Sequence, residues 1–212
     1  MNSAPATNTL HFGPSLQQAR GVVILVHGRG SSGADMAGLA RVLAADGVAF
    51  LAPSAPGGVW YPQRFFVPLD QNEPWLSRAL NEVDAVVRQA HDSGIPLERI
   101  GLVGFSQGAC LALEYAARNP RRYGFVAGLS GALIGPLAAP RAIVDLQKTP
   151  VLLSCAESDT HIPLPHLEES ARLLAGFGAS VTKQVFPGGD HTVFPKEIEW
   201  LRGQSGGWGR DA

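Results

Sequence analysis

Short apolar runs alternate with amphipathic stretches along most of the chain. Residues 22–26 read Val-Val-Ile-Leu-Val, a β-branched run without polar alternation, which predicts a strand covered on both faces. Similar runs predict further strands at residues 49–53, 100–105, 125–129, 151–155 and 181–186, with a candidate edge strand at 9–12.

The stretches between these runs carry apolar residues at helical spacing. One helix is predicted over 32–46, and Asn72 is predicted to cap a second that ends near Gly94. Further helices are predicted directly after residue 106, at 165–177 and at 194–202. This alternation predicts an α/β fold, with a mostly parallel central sheet flanked by helices on both faces. Ligands bind such sheets at the carboxyl ends of the strands.

The longest irregular stretch, residues 54–72, is rich in aromatic side chains. They are Trp60, Tyr61, Phe65 and Phe66. A loop this long in a compact domain is more often functional than filler, so we predict that these four residues bind substrate. Residues 130–149 are predicted as loop or short helix. No insertion of several helices interrupts the chain, which predicts that no large cap domain covers the site. The aromatic loop and residues 131–140 are then its only predicted cover.

Ser106 stands between two glycines at the junction of a predicted strand and helix. Gly104-Phe105-Ser106-Gln107-Gly108 fits G-x-S-x-G, the nucleophile elbow, in the strand–turn–helix setting that the motif requires. The positions two residues either side of the serine need near-absent side chains, because strand and helix crowd together there. A serine N-cap after a glycine-rich strand end is the alternative, but the context favours a catalytic serine.

A catalytic serine needs a base that takes its proton and a carboxylate that fixes the tautomer of that base. Of the six histidines, His191 follows the last predicted strand in a glycine-bounded loop, where folds of this type place the base. His27 is better placed to brace the turn after the first core strand. His161 lies two residues from a candidate acid.

The acid is expected in the loop after the strand that ends at Cys155. Asp159 and Glu157 both qualify by position. The order Ser106, Asp159, His191 is the order of nucleophile, acid and base in this fold. Asp190 is the third choice, because its adjacency to His191 points its side chain away.

An oxyanion hole needs two N–H donors aimed at one point. Gln107, the residue after the nucleophile, supplies one backbone N–H. The loop after the first core strand, His27-Gly28-Arg29-Gly30, supplies the other from Arg29. We expect the backbone of Arg29 to contribute and its side chain to be solvated.

Composition excludes several other classes. The 212 residues predict a single domain over 1–212, with a polar N-terminal segment at 1–20 and a glycine-rich tail at 203–212, where Trp208 is a candidate anchor. A net charge of −1 gives no electrostatic footprint for nucleic acid. Two cysteines form neither a disulfide framework nor a metal-ligand spacing, so no metal site is predicted. The start of the chain lacks the features of a signal peptide, and no apolar run could span a membrane. These features predict a cytoplasmic protein without stable membrane insertion, and they leave homodimerisation open.

In combination the motifs resemble the phospholipase/carboxylesterase family, which includes the acyl-protein thioesterases, within the α/β-hydrolase superfamily. The resemblance covers residues 22–201. Its matching pieces are His27-Gly28-Arg29-Gly30, Glu98-Arg99-Ile100 before the elbow, Asp159 with Ile162-Pro163, and Gly189-Asp190-His191. It implies a cofactor-free serine hydrolase acting on small-molecule carboxylic esters or thioesters. Two positions depart from the pattern: Ala156 replaces a usual glycine, and Arg29 replaces an apolar residue of acyl-protein thioesterases, which weighs against protein depalmitoylation.

The favoured function is a serine esterase for small to medium acyl chains that works through an acyl-enzyme. Lysophospholipase or acyl-protein thioesterase activity is the main alternative. A dienelactone-hydrolase-like enzyme of aromatic catabolism would use a cysteine nucleophile, and Ser106 argues against it. A non-catalytic binding protein of this fold normally shows a broken triad, whereas all three members are present here.

Overall fold

One seven-stranded sheet organises residues 8–208, the part of the chain that the computed structural model describes. Its spatial order is β1-β3-β2-β4-β5-β6-β7. Only β1 is antiparallel to its neighbour, and all other pairs are parallel. The strands are β1 Thr9–Phe12, β2 Gly21–Val26, β3 Val48–Pro53, β4 Ile100–Phe105, β5 Phe125–Leu129, β6 Pro150–Ala156 and β7 Ser180–Phe186.

Helices cover both faces of this sheet. They are α1 Ala37–Leu43, α2 Trp75–Asp92, α3 Gln107–Arg118, α4 Leu164–Gly176 and α5 Pro195–Ser205. Along β2, Val22, Ile24 and Val26 join the core beneath α2, α3 and α4. Val23 and Leu25 join the core beneath α1 and α5. Because both faces are buried, β2 has no polar alternation. The predicted α/β architecture is confirmed, and within the described residues no group of helices interrupts it as a cap.

Two helix starts differ from the prediction. A 3-10 helix, Gly33–Met36, precedes α1, and α1 ends at Leu43 rather than at residue 46. The prediction that Asn72 caps the second helix is wrong, because α2 begins at Trp75. The side chain of Asn72 instead accepts the Gln63 N–H at 2.8 Å and donates to the Arg64 carbonyl at 3.1 Å. This buried amide folds the aromatic loop back on itself.

The C-terminal region packs on the sheet more closely than its composition indicates. Helix α5 extends to Ser205, and Trp208 stacks on Phe125 with ring centroids 5.5 Å apart. Trp208 also covers Gly21 and Gly124, where a Cβ atom would lie within 2.6 Å of its ring. Trp208 therefore anchors the start of the predicted tail. Residues 1–7 of the predicted N-terminal segment and 209–212 of the tail lie outside the described residues. Across residues 8–208 no helix combines the length and the apolar character needed to cross a membrane.

Candidate active site

Ser106 occupies a strained turn between β4 and α3. Its φ of 54° and ψ of −118° lie in a region that residues with side chains rarely adopt. A Cβ atom at Gly104 would lie 2.1 Å from the Gly108 carbonyl oxygen, and one at Gly108 would lie 2.2 Å from the Val26 carbonyl oxygen. The Ser106 N–H donates to the Leu129 carbonyl at 2.9 Å, which ties the turn to β5. Both glycines of the motif are thus required by space.

His191 lies within hydrogen-bond distance of both Ser106 and Asp159. The Nε2 atom of His191 is 2.8 Å from Ser106 Oγ, and its Nδ1 atom is 2.8 Å from Asp159 Oδ2. The loop that carries His191 follows β7, and the loop that carries Asp159 follows β6. Because β6 and β7 are adjacent and parallel, their carboxyl ends place acid and base side by side. The structure brings the three predicted triad residues together, and their catalytic roles remain predictions.

The three candidate acids differ in burial and in contacts. Asp159 is 5% exposed, and its Oδ1 accepts the backbone N–H of His161 at 2.7 Å and of Ile162 at 3.1 Å. These donors fix the carboxylate in the orientation that meets His191. Glu157 and Asp190 are both exposed, and the geometry therefore favours Asp159.

Two predicted oxyanion donors lie on the elements beside Ser106. Gln107 is the first residue of α3, so its N–H has no acceptor within the helix. This N–H lies at the helix N-terminus, which is the positive end of the helix dipole. The loop after β2 passes close to the nucleophile, because a Cβ atom at Gly28 would lie 3.4 Å from Ser106 Cβ. Arg29 follows directly. This placement suits a backbone donor from each element.

The Arg29 side chain is not merely solvated as expected. Its guanidinium donates to the carbonyl oxygens of Tyr61 at 3.0 Å, Pro62 at 3.0 Å and Gln63 at 2.7 Å. A planar group with five donors suits such a set of carbonyls. Arg29 therefore anchors the aromatic loop next to the nucleophile.

His27 stabilises the turn after β2, as expected. Its Nε2 accepts the Ala55 N–H at 3.0 Å, so the proton resides on Nδ1, which donates to the Gly28 carbonyl at 2.7 Å. Burial lowers the pKa of His27, which keeps the ring neutral in this arrangement. A neutral, fully engaged imidazole favours a structural role.

A cleft of about 730 Å³ opens beside Ser106 and His191. Apolar residues from both faces of the sheet contribute to its wall. One side of the wall is formed by the aromatic loop and the loop that carries Asp159, with Tyr61, Phe65 and Ile162. The other side is formed at α1 and α5, with Met36, Leu39, Val42, Val193 and Ile198. His161 also lines the cleft and packs on His191 with ring centroids 4.6 Å apart. The sequence analysis did not predict that α1 and α5 contribute to this wall, where Val42 of α1 is an exposed apolar residue.

The cleft lining differs from the predicted substrate-binding set. Tyr61 and Phe65 line it, whereas Trp60 and Phe66 lie outside the lining. Trp60 is buried, and its indole N–H donates to the His27 carbonyl at 2.9 Å. Phe66 packs instead on Phe65 and His166. These two aromatic rings support the loop from behind.

The predicted cover by residues 131–140 is wrong, because no residue of that segment lines the cleft. The segment is tied to α3 through Glu114, a buried carboxylate that accepts the Ile134 N–H at 3.1 Å and pairs with Arg141 at 3.0 Å. This pairing holds the segment against α3.

Cys110 and Cys155 are both free and buried. Burial raises the pKa of the Cys110 thiol to about 12, so it stays protonated at neutral pH. Within residues 8–208 no three histidine, cysteine or carboxylate side chains are grouped so that they could hold a metal ion.

Comparisons with known proteins identify the family and agree with the fold. The sequence profile of the Phospholipase/Carboxylesterase family matches residues 13–203. A crystal structure of a phospholipase/carboxylesterase from Dyadobacter fermentans is 39% identical, with a TM-score of 0.88 over 92% of this chain and 94% of that one. Acyl-protein thioesterase 1 of Gibberella zeae is 30% identical over 88% of this chain and 89% of its own. The structure of Zea mays acyl-protein thioesterase 2, at 22% identity and a TM-score of 0.71, shows the shared fold; it covers 94% of this chain and 99% of its own.

The motifs, the fold and the matched profile thus agree over nearly the whole described chain. The protein belongs to the phospholipase/carboxylesterase family of the α/β-hydrolase superfamily and is a carboxylic ester hydrolase.

Proposed function

We propose that this chain is a serine esterase in which Ser106 is the nucleophile, His191 the general base and Asp159 the acid. The observation that carries the proposal is the unbroken series of contacts from Ser106 Oγ through His191 to Asp159, each 2.8 Å long. Ser106 and His191 are both partly exposed at the cleft, while Asp159 is buried behind them. This is the arrangement that activates a hydroxyl for acyl transfer.

In the acylation step, Ser106 Oγ attacks the ester carbonyl carbon as its proton passes to His191 Nε2. The tetrahedral intermediate carries a negative charge on the former carbonyl oxygen, which the backbone N–H groups of Arg29 and Gln107 would stabilise. Collapse breaks the bond to the alkoxide, and His191 protonates the departing alcohol. Asp159 stabilises the imidazolium that exists between these two events.

In the deacylation step, neutral His191 takes a proton from a water molecule that attacks the acyl-Ser106 carbonyl. The second tetrahedral intermediate uses the same two N–H donors. Its collapse releases the carboxylic acid, and the proton on His191 returns to Ser106 Oγ. The cycle consumes one water and needs no group beyond the side chains and amides already described.

The cleft supports substrates with a small to medium acyl chain. Its wall is apolar on both sides of Ser106 and can bury a short acyl chain. Val42, which belongs to this wall, is 43% exposed, so a longer chain would be covered incompletely. Thioester cleavage is the second candidate, favoured by the relatives named acyl-protein thioesterase 1. The same triad would serve both reactions, so the acyl length and the leaving group distinguish them.

The test is the substitution Ser106→Ala, with Ser158→Ala as the matched control. Ser158 is an exposed serine in the loop that carries Asp159, and its backbone N–H donates to the Gly188 carbonyl. Ser106→Ala should lower kcat on a butyrate ester by several orders of magnitude and abolish labelling by a serine-directed phosphonate. Ser158→Ala should keep both. Labelling at another residue, or a Ser106→Ala variant that keeps most of its activity, would refute the proposed mechanism.

A further inference from the structure

A buried carboxyl group lies behind the proposed triad and contacts neither substrate cleft nor solvent. Glu197, in the first turn of α5, is 0% exposed. Its Oε2 accepts the backbone N–H of Phe194 at 2.6 Å, and its Oε1 accepts the hydroxyl of Ser154. Burying a carboxyl group is costly, so its retention needs a reason.

One partner of Glu197 lies at the end of the loop that carries His191, and the other lies in β6, the strand that precedes the loop with Asp159. Phe194 lies three residues after His191, at the end of the loop that begins where β7 stops. Ser154 lies in β6, five residues before Asp159. Glu197 therefore joins these two elements at a second point, independent of the contact between His191 and Asp159.

Other contacts confine the same loop from its two ends. The rings of Phe186 and Phe194 stack 3.9 Å apart and close its base. The Ser158 N–H donates to the Gly188 carbonyl at 2.9 Å, which ties the loop to the acid loop near its start. On the far side of His191, Glu197 supplies the polar contact to Phe194. Phe194 is the N-cap of α5, and its carbonyl oxygen accepts the N–H groups of Glu197 at 3.1 Å and Ile198 at 3.4 Å. Without the Glu197 carboxyl group these contacts would remain, but the Phe194 N–H would lose its acceptor and the link from Phe194 to β6 through Ser154 would be lost.

We infer that Glu197 is a positioning residue that, together with Ser154, sets the His191 loop against β6, the strand that leads into the loop carrying Asp159. This inference rests on the proposed function, because it assigns a role relative to that triad. The contact holds the imidazole in line with Ser106 Oγ during both proton transfers. Small displacements of such a group are costly, since a shift of about 1 Å at a reacting group can lower a rate by about 100-fold.

The contact does not depend on a charge on Glu197. A neutral carboxyl group can accept the Phe194 N–H with its carbonyl oxygen and donate its proton to Ser154 Oγ, because the serine hydroxyl can rotate to accept. Burial raises the pKa of Glu197 to about 7, so both forms occur near neutral pH. A glutamine side chain reproduces the neutral pattern of donor and acceptor, and a methionine of similar shape removes both contacts.

The experiment compares Glu197→Gln, Glu197→Met and Ser154→Ala with the unmodified protein on a butyrate ester. Rates are expressed per site that a serine-directed phosphonate titrates, which removes any loss of folded protein. Glu197→Met should lower kcat by about tenfold or more with KM changed less than about twofold, because the loss lies in alignment and not in binding. Glu197→Gln should restore kcat to within about threefold. Ser154→Ala, which removes one contact, should lower kcat in the same direction by less. The imidazole N–H resonance of His191 should broaden or shift in Glu197→Met, while the backbone amide resonances of the rest of the protein persist.

The outcomes separate this inference from the proposed function. An unmodified protein that neither hydrolyses esters nor is labelled at Ser106 would refute the proposed function. If the unmodified protein does both, while Glu197→Met keeps its kcat or Glu197→Gln loses as much as Glu197→Met, the positioning role is wrong. Should Glu197→Met fail to fold, Ser154→Ala decides, because an unchanged kcat and imidazole resonance in that variant would overturn the inference.

Discussion

The side chains of Arg29 and Gln107 donate to the same acceptor, the carbonyl oxygen of Tyr61, at 3.0 and 2.8 Å. Gln107 also accepts the Trp60 N–H at 3.0 Å. Both residues are our candidates for the oxyanion hole through their backbone N–H groups. Their side chains thus hold the aromatic loop at a fixed distance from the point where the oxyanion would form.

Arg29→Leu should therefore lower activity on neutral and anionic esters by the same factor. The variant keeps its backbone N–H but removes three hydrogen bonds to the loop over Tyr61–Gln63. A fall in kcat/KM of about tenfold is expected, because charged hydrogen bonds of about 1.5–3 kcal/mol each are only partly replaced by water. The measurement is kcat/KM for a neutral ester and for a matched ester bearing a carboxylate.

Arg64→Leu provides the matched control for charge. Arg64 also lines the cleft, but its guanidinium lies over the Phe66 ring and donates only weakly to the Thr160 carbonyl, at 3.4 Å. Its loss should leave the neutral ester within about twofold, since no strong loop contact disappears. If Arg29→Leu impaired only the anionic ester, the guanidinium would contact substrate and the anchoring role would be wrong.

The acid can be identified by comparing Asp159→Asn with Glu157→Gln. In Asp159→Asn the amide oxygen could still accept the N–H groups of His161 and Ile162, but the NH2 group would face His191 Nδ1 and favour the wrong tautomer. We expect kcat to fall by about 10³–10⁴ in Asp159→Asn and by less than about threefold in Glu157→Gln. Steady-state kinetics at neutral pH measure both values. Equal losses, or the reverse order, would transfer the role to Glu157.

The tight turn at Ser106 leaves no space for a side chain at Gly108, so a substitution there should destabilise the protein. In Gly108→Ala the new methyl group would lie 2.2 Å from the Val26 carbonyl oxygen and 2.4 Å from that of His27, both backbone atoms that cannot move aside. The free energy of unfolding should fall by about 3 kcal/mol or more. Gly176→Ala is the control, because no heavy atom outside its chain neighbours and its own helix backbone lies within 4 Å of the added methyl group, and α4 ends there. That variant should stay within about 1 kcal/mol of the unmodified protein in urea unfolding.

Local chemistry explains why so much of the site could be predicted. The G-x-S-x-G spacing is forced by the contacts at Gly104 and Gly108, and these contacts are a property of any strand–turn–helix elbow. Parallel β6 and β7 necessarily bring the loops after them together. The positions of Asp159 and His191 after two such strands therefore carried enough information to pair them.

Tertiary contacts explain what the sequence could not reveal. Asn72 is one of the residue types that commonly cap helices, but its amide instead binds the Gln63 N–H and the Arg64 carbonyl within the loop. The small residues of 131–140 led to the prediction that this segment covers the active site, but Glu114 holds the segment on α3. Glu197 reads as an ordinary acidic residue in the first turn of a helix. Only the packing of α5 on β6 shows that it is buried against Ser154.

The buried carboxyl of Glu197 predicts a change of stability with pH. Its pKa is raised by burial from 4.5 to about 7, so the folded state binds the proton more tightly than the unfolded state. A raised pKa contributes stability in full below pH 4.5, and this contribution is lost as the pH rises through about 7. The expected loss is about 3 kcal/mol. Glu197→Gln does not titrate, so the difference in unfolding free energy between the two proteins should shift by that amount.

Urea unfolding of both proteins across a pH series from about 4.5 to about 8 measures this difference. The glutamine variant cancels the contributions of all other titrating groups that the two proteins share. Relative to that variant, the unmodified protein should be most stable at the acidic end of the series. Two curves that run parallel across the whole range would show that Glu197 does not titrate with a raised pKa in the folded protein.

The apolar walls of the cleft predict how kcat/KM depends on the length of the acyl chain. Each methylene buried against Leu39, Phe65 or Ile198 contributes about 0.8 kcal/mol, which raises kcat/KM by about fourfold. Val42, which belongs to the cleft lining, is 43% exposed, so we expect the gain to end where a longer chain is no longer buried. We expect kcat/KM to rise from acetate to about butyrate or hexanoate and then to level or fall.

Val42→Ser tests whether this surface limits the chain. The variant should lower kcat/KM for hexanoate while leaving acetate unchanged, because a hexanoyl chain has far more apolar surface to bury against Val42 than an acetyl group. Val144→Ser, outside the cleft lining, is the control and should change neither substrate. A series of esters from acetate to palmitate measures the optimum for each protein. A rate that still climbs at palmitate would reveal a longer acyl site than this cleft, and would favour the lysophospholipase or depalmitoylase function over the short-chain esterase.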